Sequence, residues 1–473
     1  MIPLLLLLLL ANAHPNVSTG LPLPRVHYVT ECGCTGLEQE ALVLLEALEP
    51  LRSIGHGSRW LSINHCRNRC PHTPPAILAL QRTTEQVEQG ESAELAPPTA
   101  PTHLSIWYIL LHKLTHTLSG ILPARLLDLL ARVYDEPARR TDAHTGCETG
   151  SSSRLDVLIE HVAFRGVCPA RSRDLPAARA HICRSMNECD RLDSRSVVRC
   201  NQHCEQVWVP SRFHHESFAA SGVDPSLLWI LPEAFDQRLL DADSSTCPQM
   251  APDRFVFMSV FKVEPRKNWE TLIRGYVEAF ADTADRERVQ LYLRAQPYMR
   301  WGSGSIRRLL QELRSEYVHP LPQVHIQEVA LNTDHLASCY RQADAFVLPT
   351  HGEGWGRPIM DAMSLARPVL ATNWSGVTEF MATHTALPFT AEGLEVDDSG
   401  TCKWAYVSVN QVAVRLRQVF EMNPQERERI GASARAHILE NFSVDQLRQM
   451  TVDRLEMIHN RLISCAKDSH DEL

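Results

Sequence analysis

Short apolar runs rich in Val, Ile, Leu and Phe alternate along this chain with stretches whose apolar residues recur at helical spacing. The first kind predicts buried strands and the second amphipathic helices, and their alternation predicts parallel sheets with helices on both faces. In the first half the strand patterns are Val26–Val29, Trp60–Ile63, Ser105–Leu111, Asp156–Val162, Val207–Pro210 and Leu228–Leu231, with a helix over Leu37–Leu48. In the second half they are Phe255–Val260, Gln290–Leu293, Val324–Gln327, Ala345–Leu348 and Pro368–Ala371. Helices are predicted between these at Trp269–Phe280, Ile306–Tyr317 and Thr333–Gln342. A last amphipathic helix, Val444–Ile463, places Leu447, Met450, Leu455, Ile458 and Leu462 on one side. No repeat of solenoid period is present.

With 473 residues the chain exceeds one ordinary core. The pattern divides it into two doubly wound domains, 14–240 and 241–442, with a helix at 443–466. Asp, Ser and Pro collect at the junction near Phe235–Asp253, and a Glu/Ala/Pro-rich loop or insertion falls near 86–102. Composition is that of a globular protein, 44% hydrophobic and 22% charged. A formal charge of -9 argues against nucleic acid as a partner, since phosphate backbones select basic faces.

The two ends carry address signals. Residues 1–13 combine a leucine run, Leu4 to Leu10, with Ala11-Asn12-Ala13, the pattern of a signal peptide and too short to span a bilayer. Residues 470–473 read His-Asp-Glu-Leu, a retrieval signal of the endoplasmic reticulum, which implies a retrieval receptor as partner. Together they predict a protein of the endoplasmic reticulum lumen. Fourteen cysteines suit that oxidising compartment. The alternative is zinc, because Cys-x3-Cys occurs at Cys66/Cys70 and Cys200/Cys204 beside His65 and His203. No His pair follows at the spacing of a zinc finger, so structural disulfides are expected and no metal site. Sequons stand at Asn16, Asn373 and Asn441, marking a candidate glycoprotein.

The densest chemistry lies after the strand Ala345–Leu348. Pro349 ends the strand, a loop with Gly352, Gly354 and Gly356 follows, and Pro358 suits the first turn of a helix. Glycines admit a ligand to the backbone, and the free amides of a helix start favour an anion such as a diphosphate. Asp361 lies one turn into that helix, leaning back toward the ligand that Glu353 would face. On pattern alone a strand, loop and capped helix without ligand remains the other reading.

This stretch resembles the donor site of family-4 retaining glycosyltransferases, in which two acidic residues eight positions apart bracket a Gly-aromatic-Gly turn. The resemblance continues through Arg367-Pro368-Val369 and Trp374-Ser375-Gly376-Val377-Thr378-Glu379. It appears upstream in Phe257 to Lys267, at Val207-Trp-Val-Pro-Ser211, and in Gly222-Val-Asp224 with Pro232-Glu233. It is dense from about Cys183 to Phe442. It implies a GT-B fold: α/β, two tandem Rossmann-like domains with a cleft between them and a C-terminal helix returning to the first. It also implies metal-independent transfer from a nucleotide sugar to a glycan, glycoprotein or lipid-linked acceptor held by the first domain. The expected endoplasmic reticulum lumen, supplied mainly with UDP-sugars, favours a UDP-sugar as the donor.

Carried over by position, Glu353 would contact the transferred sugar, while Lys262 and Lys267 would hold the diphosphate. Gly354, Trp355, Gly356, Arg357, Pro358, Gly376 and Glu379 would shape the nucleotide-sugar site, with Asp361 at the ribose. Gly36, in the Gly33-to-Gly36 turn, and His161 would stand on the first-domain side. For His161 a purely structural histidine is the alternative. Asp361 and Lys262 depart from the family's Glu and Arg, and Phe261 and Asn268 from its glycines. Those departures leave a second expectation open, a weak or inactive transferase-like protein that binds glycans or nucleotide sugars. Asp241-Ala-Asp243 mimics a metal-binding Asp-x-Asp but stands in the linker without a supporting pattern.

Overall fold

The computed structural model describes residues 26–30, 61–64, 155–161, 168, 178–243, 246–298, 301–382, 384–398 and 400–471. The predicted signal peptide, the Gly33-to-Gly36 turn with Gly36, the helix Leu37–Leu48, the strand Ser105–Leu111, the insertion near 86–102 and the last two residues of the tail lie outside these.

Two all-parallel sheets organise the chain. The first has the order β2-β1-β3-β4-β5-β6, from β1 (Val26–Thr30), β2 (Leu61–Asn64), β3 (Leu155–His161), β4 (Ala178–Arg184), β5 (Gln206–Val209) and β6 (Leu228–Ile230). The second has the order β11-β10-β7-β8-β9, from β7 (Phe255–Lys262), β8 (Val289–Gln296), β9 (Gln323–Gln327), β10 (Ala345–Leu348) and β11 (Val369–Ala371). Such strands are covered on both faces, which is why they read as continuous apolar runs. β10 is buried at every position.

Helices follow the strands: α1 (Ser194–His203), α2 (Arg212–Ser221), the short α3 (Gln237–Asp241), α4 (Trp269–Phe280), α5 (Ser303–Glu316), α6 (Thr333–Gln342), α7 (Arg357–Ser364), α8 (Val409–Glu421), α9 (Pro424–Asn441) and α10 (Val444–Asp471). Several start on side-chain caps: Asp193 accepts from Ser196 N–H, Ser211 from His214 N–H and Asn332 from His335 N–H. The core of the second sheet gathers Phe257, Tyr276, Phe280 and Phe346, all fully buried. A small antiparallel hairpin, β12 (Gly393–Val396) with β13 (Lys403–Tyr406), was not anticipated from the sequence.

The chain leaves the first sheet at Ile230 and enters the second at Phe255. This linker is held firmly. Arg341 donates to the carbonyls of Leu239, Leu240 and Ala242, and Cys247 is bonded to Cys339 of α6. The return crossing lies beside it, where Phe235 N–H donates to Phe442 O at 3.0 Å. α10 then runs back to the first sheet. Its Arg454 donates to Gln206 of β5 and stacks over Trp229 of β6. Leu447, Leu455 and Ile458 are buried, as its apolar side predicts. By its internal contacts one compact unit, Met1–Thr73 with Arg154–His459, holds both sheets. The other, Pro74–Ser153 with Asn460–Leu473, is described only at the end of α10.

Candidate functional site

In the second sheet the strand order reverses between β7 and β10, and the loops leaving their carboxyl ends meet there. That reversal is where open α/β sheets hold their ligands. β7 delivers Lys262 at its end, followed by the turn Pro265–Lys267 and then Asn268 at φ 51°. Asparagine shares the left-handed region with glycine, so Asn268 can take the turn at this φ without the strain a β-branched residue would meet. Phe261 faces the core at 4% exposure.

β10 delivers residues 350–356. Gly356, at φ 98°, turns the chain into α7, whose first residue is Arg357 with Pro358 just behind. The loop is bonded to its neighbours on both sides. Glu353 N–H donates to Ser375 Oγ at 2.8 Å, and Gly376 N–H donates to Glu353 O at 3.0 Å. A Cβ at Gly376 would lie 2.0 Å from Gly354 O, so only glycine fits there. Trp355 turns its side chain into the core beside Phe380 and Phe442, with ring centroids at 5.0 and 5.8 Å, and braces the loop from below.

Glu353 is the centre of the charge arrangement. Both carboxylate oxygens accept from Lys267 Nζ, at 2.7 and 2.6 Å, and Arg266 approaches one of them at 3.3 Å. Burial works to raise the carboxyl pKa, but Lys267 and Arg266 outweigh it and hold Glu353 below the usual glutamate range. Arg266 also donates to Gly352 O at 2.6 Å and faces Glu264 at 2.7 Å and Glu188 at 3.5 Å. Its charge is thus spread over three carboxylates. Lys262 is different: its ammonium stands 5.1 Å from the centre of the Tyr298 ring. Burial, reinforced by the charges of Lys267 and Arg266, pushes its pKa below that of an ordinary lysine.

Asp361 is 8% exposed, and among the described residues its Oδ1 has no hydrogen-bond partner. Burial and the charge of Asp236 raise its carboxyl to about 7, against the opposing pull of Arg357. Arg357 reaches back to the linker, pairing with Glu233 at 3.2 Å and donating to Ala234 O. The Pro358 carbonyl accepts from Tyr340 Oη at 3.3 Å. Glu379 accepts from Arg212 N–H at 2.8 Å, so its carboxylate caps α2 of the first sheet.

Glu353, Lys267 and Lys262 are therefore drawn from two loops at one switch point, and Asp361 stands in the helix that starts there. His161 ends β3, opposite Thr30 and Arg184, and its side chain lies outside the described residues. Ser375, Glu264 and Glu188 complete the surroundings and were not singled out as site residues from the sequence. Ser375 and Glu264 lay inside stretches whose resemblance to the family pointed to the site, and Glu188 in the segment Arg184 to Asp190, which also resembles the family. Cys200 and Cys204 are bonded to Cys168 and Cys183, so their sulfurs are not zinc ligands. Asp241 accepts from Gln237 within the short linker helix.

Residues 252–398 match the family model described as glycosyl transferases group 1. The chain is 26% identical over 227 residues to the D-inositol 3-phosphate glycosyltransferase of Geodermatophilus obscurus, covering 46% of this chain and 44% of that enzyme. It is 30% identical over 136 residues to the serotype-specific mannosyltransferase WbdA of Escherichia coli, covering 29% of this chain and 16% of that one. The chain thus spans less than half the length of these curated relatives. Among solved structures it is similar to Anabaena Alr3699/HepE in complex with UDP and glucose, with a TM-score of 0.57 at 13% identity, covering 92% of this chain and 100% of that one. A glycosyltransferase from Rickettsia africae ESF-5 gives a TM-score of 0.52 at 12% identity, covering 92% and 98%. Residues 252–398 thus match a glycosyl transferases group 1 domain, and the chain's two parallel sheets form a GT-B fold.

Proposed function

We propose that this protein moves a sugar from a nucleotide-diphosphate donor to an acceptor hydroxyl, with retention at the anomeric carbon and without a metal. The observation that carries this reading is Glu353 held between Lys267 and Arg266 at the switch point of the second sheet. Cations fixed there stabilise the negative charge that develops as the bond from the anomeric carbon to the diphosphate breaks. Lys262, which pairs with no carboxylate among the described residues, is the cation a diphosphate would meet at least cost. The acceptor oxygen would bond to the anomeric carbon on the face the diphosphate leaves, and a diphosphate oxygen would take the acceptor's proton. Glu353 would accept from sugar hydroxyls, and a ribose hydroxyl would satisfy the bare oxygen of Asp361.

A UDP-sugar is the first donor to try, as UDP and UDP-glucose are bound in solved HepE structures. The acceptor we propose is a glycan, glycoprotein or lipid-linked saccharide in the endoplasmic reticulum lumen. Disulfides such as Cys183–Cys204 and Cys247–Cys339 support that oxidising compartment, as do the leucine run at the start and the tail His470 to Leu473. The test is turnover of a panel of UDP- and GDP-sugars, with the product anomer read by NMR. Turnover lost in Glu353→Gln and Lys267→Met supports the reading, and no turnover with any donor sinks it. The competing reading, a binding protein without turnover, draws on the neutralised state of Arg266 and Lys267. It predicts saturable nucleotide-sugar binding with no product.

A further inference from the structure

The donor loop is not shaped by the second half of the chain alone. Residues 185–190, which follow β4 of the first sheet, lie directly against it. A Cβ on Gly352 would lie 2.3 Å from Glu188 O, and one on Gly354 would lie 2.4 Å from Met186 Sδ. Both glycines are therefore in close contact with the first half of the chain. The same segment is tied to the hairpin β12–β13. Asp190 N–H donates to Lys403 O at 2.9 Å, Lys403 N–H donates to Asp190 Oδ1 at 2.7 Å, and Cys189 is bonded to Cys402 across 213 residues. The hairpin in turn holds the loop. Ala405 N–H donates to His351 O at 2.9 Å, and the His351 ring stacks on Trp404 at 4.8 Å. A closed chain of contacts results: Met186 to Asp190, hairpin, His351, Gly352 to Gly354, and back.

We infer that Met186–Asp190, fastened by Cys189–Cys402, is a positioning segment that presets the donor loop before the donor binds. This rests on the reading of residues 350–356 as a donor site. A loop with three glycines loses much conformational freedom on ordering, and a loop already ordered takes up ligand with less loss. The disulfide also removes open arrangements of the two sheets from the accessible set.

The test compares UDP affinity by calorimetry, KM and kcat for the proposed donor, and amide hydrogen exchange of residues 350–356 without nucleotide. The subjects are the full chain, its Cys189→Ser/Cys402→Ser form and a Cys247→Ser/Cys339→Ser form. If the preset arrangement falls to about a tenth of molecules without the staple, UDP affinity falls about tenfold. KM should rise while kcat holds, and residues 350–356 should exchange faster. The Cys247→Ser/Cys339→Ser form should lose stability and keep its affinity. Equal affinity and protection in the first two proteins overturn the inference and leave the donor reading standing. If the full chain takes up neither UDP nor any UDP- or GDP-sugar, the donor reading falls and this inference with it. Should the Cys189→Ser/Cys402→Ser form fail to fold, Asp190→Ala decides. It keeps the disulfide, cuts one tie to Lys403, and should weaken UDP binding and loop protection in the same direction; no change in either overturns the inference.

Discussion

Asp361→Asn isolates a buried carboxyl at the site whose proton affinity is raised far above that of an ordinary aspartate. Its rise from 3.8 to about 7 corresponds to about 4 kcal/mol at 1.36 kcal/mol per tenfold in proton affinity. The sign follows from which state holds the proton. Between pH 4 and pH 7 the folded chain keeps Asp361 neutral while the unfolded chain has released the proton. The folded state therefore binds more protons in that window, and stability from this group declines as pH rises, levelling off above pH 7. Neighbouring charges do not reverse the sign. Arg357 is already engaged by Glu233, and Asp236 is held ionised, its burial offset by the paired Arg238. The amide that replaces the carboxyl in Asp361→Asn cannot ionise, so the offset between the two proteins reports packing, while its change with pH reports the carboxyl. Urea unfolding followed by tryptophan fluorescence at pH 5, 6, 7 and 8 should show the Asp361→Asn variant gaining on the parent by about 3 kcal/mol across the series. Parallel stability curves for the two proteins would refute the argument that Asp361 is buried without a compensating partner.

Three further outcomes are expected. Lys267→Met and Glu353→Gln should each cost about 3 kcal/mol in urea unfolding, because each strands a buried charge. The double variant should fall short of their sum by about 2 kcal/mol, and strict additivity would count against the pair. Gly376→Ala drives a methyl into the Gly354 carbonyl, so it should cost about 2 kcal/mol or more and abolish nucleotide-sugar binding in a thermal-shift titration. Asn268→Gly should be close to neutral, since it removes a buried amide nitrogen without a partner, whereas Asn268→Val should cost about 1–2 kcal/mol for the left-handed backbone. Equal melting temperatures for those two would show that φ at this position is not the constraint.

Much of the second sheet could be read from the pattern of apolar residues. Ala345–Leu348, Trp269–Phe280 and Thr333–Gln342 fall where apolar continuity or helical spacing placed them: the strand is buried at every position, and each helix buries one side against the core. β4 escaped notice because Ala178–Arg184 carries Arg179, His181 and Arg184. The last two are buried by bonding to the carbonyls of His203 and Leu231, partners far away in the chain. The hairpin escaped because Leu394 and Val396 point outward, so the apolar pattern signals no core. At the candidate site, the sequence pointed to the stretches that meet at the switch point, and not to the contacts between them. Nothing in the spacing of Glu353 and Lys267 tells that they bond, or that Glu379 caps a helix of the first sheet. Cys189 could be expected to form a disulfide, but its partner could not be named, since spacing says nothing of a bond spanning 213 residues.

The return of α10 to the first sheet also governs the order in which the chain can be completed. Strands β7 to β11 come from one continuous stretch and can close as soon as it leaves the ribosome. The first sheet must wait. Gln206 meets Arg454 only 248 residues later, and until then the edge strand β6 and Trp229 lack that cover. Cys189 waits as well, a free thiol close in sequence to Cys183, Cys200 and Cys204, until Cys402 has been made. If the chain is oxidised while it is being made, local mispairing is favoured, and the native set is then reached by thiol–disulfide exchange after the hairpin has formed. A chain built this way matures last at the place where its two halves are joined.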